Sequence, residues 1–227
     1  MQPRKSGSER RLAFFDADET VLAMKSLMSF LRFYLERTRG TQAAAIQEGA
    51  VEDLARARAR GATREELNAA FYLLFAGERE EKVRLLAREW HEELRRSGSQ
   101  LYLPGTTARL RALVARGYEV FFVSGSFEAL LEPFARELGM SGIVCSRPES
   151  IDGVLTGWLL GAPMIGQEKA RAARELIRRL GANREDCFAC GDDISDVPLL
   201  ETVGRAAIAG SQPQMVREAA ARGWERL

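Results

Sequence analysis

The sequence predicts an α/β fold, a mostly parallel sheet flanked by helices, with a block of helix inserted after the first strand. Three observations carry that prediction. Short apolar runs that end in polar groups recur along the chain, each followed by a helical pattern, the rhythm of a parallel sheet. The first run, Leu12-Ala13-Phe14-Phe15, is apolar at every position, as a strand buried on both faces must be. Between it and the next strand stand about 75 residues of helical pattern, too many for a simple crossover.

Taken in order, the first strand ends in Asp16-Ala17-Asp18-Glu19-Thr20, two carboxylates separated by one residue. Over 24–39, Leu27, Met28, Leu31, Tyr34 and Leu35 recur at three- and four-residue spacing and predict a helix stopped by Gly40. A second helix is predicted within 41–60. A third opens on the capping-box pattern Thr63-Arg64-Glu65-Glu66 and runs to Gly77, and a fourth covers 80–96. Pro104-Gly105-Thr106 starts a helix that Gly117 ends. Residues 118–123 form the second strand, halted at Ser124-Gly125-Ser126, with a helix over 127–138 behind it. Ile143-Val144-Cys145 is a short strand, and Asp152-Gly153 is a turn between two extended pieces, the second over 154–160. Residues 166–180 are a basic helix, and 187–190 a strand ending in Gly191-Asp192-Asp193-Ile194-Ser195-Asp196. A helix starts at Val197-Pro198, 206–209 is a last short strand, and a C-terminal helix begins near Pro213.

Composition narrows the function. The 227 residues carry 33 basic and 32 acidic side chains, so net charge gives no reason to expect a nucleic-acid partner. The first ten residues are polar and basic, with no signal peptide, and no apolar run is long enough to span a bilayer. A cytoplasmic protein is expected. Cys187 and Cys190 form C-x-x-C, but on a strand residues three apart point to opposite faces, and no second pair of ligands accompanies them. With Cys145 they read as reduced, buried, small hydrophobes. His91, the single histidine, lies in a charged helical stretch and reads as solvated. A histidine triad and a histidine–zinc centre are excluded.

Three strands thus end in polar groups: Asp16 and Asp18, Ser124, and Asp192 with Asp193 and Asp196. Lys169 precedes the last set at the start of a helix. In a parallel sheet these ends share one edge and converge there. Several hard-oxygen carboxylates suit Mg²⁺, hydroxyls and strand-end amides suit phosphate oxygens, and a lysine offsets charge. On the first stretch alone, capping of the next helix by Asp18 or Thr20 is an equal reading.

Asp16-x-Asp18-x-Thr20, Ser124 behind a strand, Lys169, and Gly191-Asp192-Asp193-x-x-Asp196 match, in order, the four motifs of the haloacid dehalogenase-like superfamily. The chain resembles its phosphoserine-phosphatase-like branch, whose cap falls where the helical insert lies and whose second motif fits Val123-Ser124-Gly125-Ser126-Phe127. The resemblance covers residues 11 to about 210. It implies a Rossmann-like core made of residues 1–22 and 101–227, with a helical cap at 23–100. It implies Asp16 as nucleophile, giving an aspartyl-phosphate, and Asp18 as general acid and then base. Mg²⁺ would be held by Asp16, the Asp18 backbone carbonyl and Asp192. Thr20, Ser124, Gly125 and Lys169 would hold the phosphate, with Asp193 and Asp196 in support. Asp193 and Ser195 depart from the glycine and asparagine common in phosphoserine phosphatases. Asp18 favours phosphate over carbon–halide substrates, which need no acid at that position, and the membrane domain of the P-type ATPase version of the fold is missing.

Lys25 stands where phosphoserine phosphatases carry a glutamate toward the substrate's ammonium. The expected substrate is therefore a small phosphorylated metabolite other than phosphoserine, unless Lys25 merely snorkels at a helix start. Arg56, Arg58 and Arg60 read as a solvated helix face, Phe71, Tyr72 and Phe75 as cap core, and Trp90, Trp158 and Trp224 as packing. Glu19 is expected to face away from the metal, and Ser126 to cap a helix. The expectation is a Mg²⁺-dependent phosphatase, monomeric or homodimeric. A phosphotransferase of the same fold and a non-catalytic regulatory protein are the alternatives.

Overall fold

In the computed structural model, which describes residues 10–227, β1 (Leu12–Phe15) lies at the centre of the molecule with all four side chains fully buried. The polar N-terminal stretch that the sequence assigns to the core lies outside the described residues. Helices α1 (Ser26–Arg39), α2 (Ala43–Ala59), α3 (Arg64–Tyr72) and α4 (Glu80–Arg96) follow β1. Thr63 caps α3 through the reciprocal box with Glu66 that the sequence pattern predicts. The α/β part then runs α5 (Pro104–Ala115), β2 (Glu119–Phe127), α6 (Glu128–Glu137), β3 (Gly142–Ser146), β4 (Pro148–Ile151), β5 (Val154–Leu159) and α7 (Gln167–Leu180). It closes with β6 (Phe188–Gly191), α8 (Val197–Leu200), β7 (Arg205–Ile208), α9 (Pro213–Arg222) and β8 (Glu225–Arg226).

Six strands form one parallel sheet in the order β3-β2-β1-β6-β7-β8. The chain leaves β1 toward β2 and β3 on one side and returns to β6, β7 and β8 on the other. The direction of winding therefore reverses at β1, and a crevice opens beyond its carboxyl end. Strand alternation splits the interior in two: Ala13 and Phe15 join a cluster with α5, α6 and the inserted helices, while Leu12 and Phe14 pack with α7, α8 and α9. Cys190 and Cys187 fall into these opposite clusters, and all three cysteines are free.

The segments leading into and out of the inserted helices run side by side, with the Ala23 N–H donating to the Leu101 carbonyl and the Leu103 N–H to that of Val21. The insert shares the sheet's core. Phe30 of α1 is fully buried, with its ring 5.7 Å from Trp90, 5.9 Å from Phe75 and 6.2 Å from Phe127 at the end of β2. The hairpin β4–β5 forms a separate antiparallel sheet and grips the insert through Gly77 N–H to Leu155 C=O and Leu155 N–H to Glu78 C=O. No helix among the described residues is long and apolar enough to cross a membrane.

Several local expectations are corrected. β2 does not stop at Ser124 but continues to Phe127, because its neighbour β3 keeps pairing with it across a register shift. The strand at 206–209 is not the last, since β8 adds to β7. His91 is not solvated: its ring sits edge-on to Phe134 at 4.7 Å, and Nε2 is buried without a hydrogen bond. Trp158 does not pack but is 66% exposed on the hairpin, whereas Trp90 is buried and Trp224 packs partly against the second cluster.

Phe30→Ala is expected to lower stability by about 3–5 kcal/mol in urea denaturation, because the surrounding rings cannot all close the void. Trp158→Ala is expected to change it by less than about 0.5 kcal/mol.

Candidate active site

The loop after β1 places Asp16 at the crevice. Its backbone N–H donates to the Cys190 carbonyl of β6, and its Oδ1 accepts the Ala17 N–H at 2.8 Å. The side chain is almost wholly buried, and Lys169 from the first turn of α7 lies 2.8 Å from the same oxygen. Lys169 is itself 2% exposed and donates to Asp196 Oδ1 at 2.6 Å, so its ammonium is held between two carboxylates. Burial pulls the lysine's pKa down, but Asp16 and Asp196 outweigh it and hold the pKa above the ordinary lysine value.

Asp196 is fully committed. Its Oδ2 accepts the N–H groups of Asp192 and Asp193, and its Oδ1 takes Lys169. Gly191 permits this approach: a Cβ there would sit 2.5 Å from Asp196 Cβ. Asp193 turns the chain by accepting Ser195 N–H and Oγ–H, and pairs with Arg64 of α3 at 3.2 Å. Against the upward pull of burial, Ser195 and Arg64 keep its carboxyl below the usual range.

Asp16, Asp192 and Asp196 each bring an oxygen to within 4.8 Å of the others. Three buried carboxylates with one lysine among them carry excess negative charge. Burial first, then Asp196 and Asp192, push the Asp16 carboxyl well above its ordinary range, although Lys169 opposes them. Burial and Asp196 push Asp192 up to about 6, with Thr20 and Lys169 opposing. Hard oxygens with unbalanced charge suit a small divalent cation. Because Asp196 is already filled by its partners, the residues best able to hold one are Asp16 and Asp192.

Asp18 stands outside that cluster. It lines a cavity of about 410 Å³ between the sheet edge and α1–α3, which Asp16, Ser124, Gly125 and Lys169 also line. Its Oδ1 is buried without a partner. Burial lifts its pKa to about 6, with the Ser26 hydroxyl and amide opposing. Ser124 Oγ accepts the Ser126 N–H at 3.1 Å. The Gly125 carbonyl accepts Tyr72 O–H at 2.7 Å and Asn68 Nδ2–H at 3.0 Å. A Cβ on Gly125 would lie 2.6 Å from Ile165 Cδ1.

Other expectations fall differently. Thr20 does not line the cavity; its hydroxyl is buried and donates to Asp192 Oδ1 at 2.8 Å, so it orients a carboxylate rather than facing a ligand. Ser126 does not cap α6, whose preceding residue is Phe127, but accepts the Ser26 hydroxyl at 2.9 Å. Lys25 lies at the cavity rim and pairs with Glu19 at 3.3 Å, so the two present no net charge. Glu19 has a left-handed φ of 56°, a strained conformation for a glutamate in this loop. Arg56 binds Glu52 and Asp53 on the surface, but Arg58 lines the cavity. Phe71 does as well, while Tyr72 and Phe75 are core. Sequence reasoning missed Arg64, Asn68, Ser26 and Thr106, whose hydroxyl donates to the Thr20 carbonyl at 2.5 Å. The three-and-four spacing of Arg64, Leu67, Asn68 and Phe71 marked one helix face, but nothing in it said what that face meets.

A family model described as haloacid dehalogenase-like hydrolase matches residues 13–201. A probable phosphatase of Mycobacterium tuberculosis is 29% identical over 225 residues, covering 96% of this chain and 75% of its own length. A phosphoserine phosphatase, SerB1, of the same organism is 35% identical over 121 residues, covering 53% of this chain. The chain spans 39% of the length of that relative. A crystal structure of a protein of unknown function from Bordetella pertussis superposes with a TM-score of 0.84 at 26% identity, over 97% of this chain and 99% of that one.

Two substitutions probe the acidic cluster. With its folded pKa raised, Asp192 contributes stability below about pH 4, and this is lost as pH rises through about 6. Asp192→Asn without metal is therefore expected to be more stable than the parent at pH 7.5, by roughly 1–3 kcal/mol, and no more stable at pH 4. Gly191→Ala is expected to lose roughly 1–3 kcal/mol, because Asp196 must move while carrying Lys169. Chemical denaturation at the two pH values checks both.

Proposed function

We propose, from the premise that the chain belongs to the haloacid dehalogenase-like hydrolase family, that it is a Mg²⁺-dependent phosphatase of small phosphomonoesters working through a phospho-aspartate. The observation that carries the reading is Asp16 at the floor of the cavity. Its Oδ1 is held by Lys169 and the Ala17 amide, which leaves Oδ2 to attack. Asp18 lines the same cavity with its pKa lifted to about 6.

Oδ2 of Asp16 forms a bond to phosphorus as the bond from phosphorus to the leaving oxygen breaks. Asp18, in its protonated form, gives its proton to that oxygen, and the alcohol leaves. Asp18 then takes a proton from a water whose oxygen attacks phosphorus, releasing phosphate and restoring Asp16. A carboxyl with a pKa near 6 can serve both directions close to neutral pH. Ser124, the strand-end amides around Gly125, and Lys169 hold the phosphoryl oxygens as charge shifts among them. Asp196 and Thr20 act through others, positioning Lys169 and Asp192 respectively. Mg²⁺, held by Asp16 and Asp192 together with the Asp18 carbonyl, would offset the negative charge that otherwise repels an incoming phosphate. The inserted helices roof the cavity and act as a cap that shields it from bulk water.

Phosphate release from p-nitrophenyl phosphate is expected to require Mg²⁺, and Asp16→Asn to lower it at least about 10³-fold. Retention of activity in that variant would refute the assignment. Because metal and protons compete for raised-pKa carboxylates, Mg²⁺ is also expected to raise Tm more at pH 7.5 than at pH 5. A thermal melt with and without Mg²⁺ measures this without turnover.

A further inference from the structure

The roof of the cavity is largely apolar, the polar side chains on it being Arg58, Arg64 and Asn68, whose Oδ1 is buried without a partner. Val51 and Leu54 of α2, Leu67 and Phe71 of α3, and Leu27 and Met28 of α1 line the cavity. On α2 the residues that are buried are alanines, Ala43 and Ala50, whereas Val51 is 44% exposed and Leu54 is half-buried. Leu54 packs partly against the core and also lines the cavity, and Val51 lines the cavity while exposed. Leaving them against water forgoes the burial that normally fixes such a helix, and an apolar ligand would supply it.

The charges around the cavity disfavour a substrate that carries an ammonium group. Apart from Asp16 and Asp18, the carboxylate lining it is Glu19, already paired with Lys25. The remaining charged groups are cations: Lys169, Arg64, which is paired with Asp193, and Arg58, which is exposed and has no carboxylate partner among the described residues. An ammonium group on a substrate would find no free counter-charge there.

We infer, on the hydrolase reading above, that the substrate is the phosphomonoester of an alcohol with an apolar body. The phosphate lies over Asp16, and the carbon chain or ring lies against α1, α2 and α3. Phosphoserine and other ammonium-bearing esters are poor substrates. A cavity of about 410 Å³ has room for a body larger than a serine side chain.

The test uses the full chain with Mg²⁺ and a series of n-alkyl phosphates from ethyl to octyl, beside phosphoserine and phosphoethanolamine. The expected result is a rise in kcat/KM of about two- to fourfold for each added methylene until the cavity is filled. Hexyl phosphate should exceed phosphoethanolamine by more than about tenfold. Val51→Asp, at an exposed position that does not threaten folding, and Leu54→Asp should both flatten the dependence on chain length. Calorimetric binding of the matching alkylphosphonates, which cannot be hydrolysed, reads the same preference without chemistry. Mg²⁺-dependent turnover that is flat along the series, or best with phosphoserine, would overturn this inference and leave the phosphatase reading standing. Absence of turnover with phosphonate affinity that still climbs with length would do the reverse. Phosphonate affinity indifferent to length would also overturn it.

Discussion

The site depends on one buried lysine. Lys169 cannot be left alone in an interior that pulls its pKa down, so it is charged only because Asp16 and Asp196 flank it. Each partner is in turn fixed by backbone: Asp16 by the amide that follows it, and Asp196 by the amides of Asp192 and Asp193. The ion group therefore ties the end of β1 to α7 and the end of β6, which lie far from it in sequence. One-sided removal of such a partner strands a buried charge, which is more costly than never having built the pair. A single lysine does not balance three carboxylates, and hard oxygens left with negative charge at the edge of the sheet suit a small divalent cation.

Around that group the fold divides labour. The reversal of winding at β1 sets the crevice, and the inserted helices roof it while sharing one continuous apolar core with the sheet through Phe30 and Phe127. Beside that apolar contact, polar ones join the roof to the strand ends: Arg64 on Asp193, Asn68 and Tyr72 on the Gly125 carbonyl, and Ser26 on Ser126. They register the roof over the acidic cluster without filling the space between them.

Most of this frame is legible in the sequence, because strands buried on both faces and carboxylates at their ends are local signals. The run at Leu12 to Phe15, the capping box at Thr63 and the convergence of Asp16, Lys169, Asp192 and Asp196 can be read from spacing and type. Properties set by partners distant in sequence cannot. Thr20 reads as a ligand group until Asp192 comes within reach of its hydroxyl, and Ser126 reads as a cap until Ser26 arrives from the insert. Lys25 reads as a free cation, but a left-handed turn at Glu19 brings a carboxylate beside it. His91 and Trp158 went opposite ways for the same reason. A charged neighbourhood along the chain did not foretell the ring of Phe134, and an apolar side chain on a hairpin did not guarantee a surface to cover it.

The most direct test of the central claim is to catch the covalent intermediate. Asp18→Asn, which lacks the base for the second step, is mixed with p-nitrophenyl phosphate and Mg²⁺, quenched in acid, reduced with borohydride and mapped by mass spectrometry. If Asp16 is the nucleophile, its acyl phosphate is reduced and the peptide carries homoserine at position 16. An unmodified Asp16 after confirmed release of p-nitrophenol, or a label on another residue, would contradict the account.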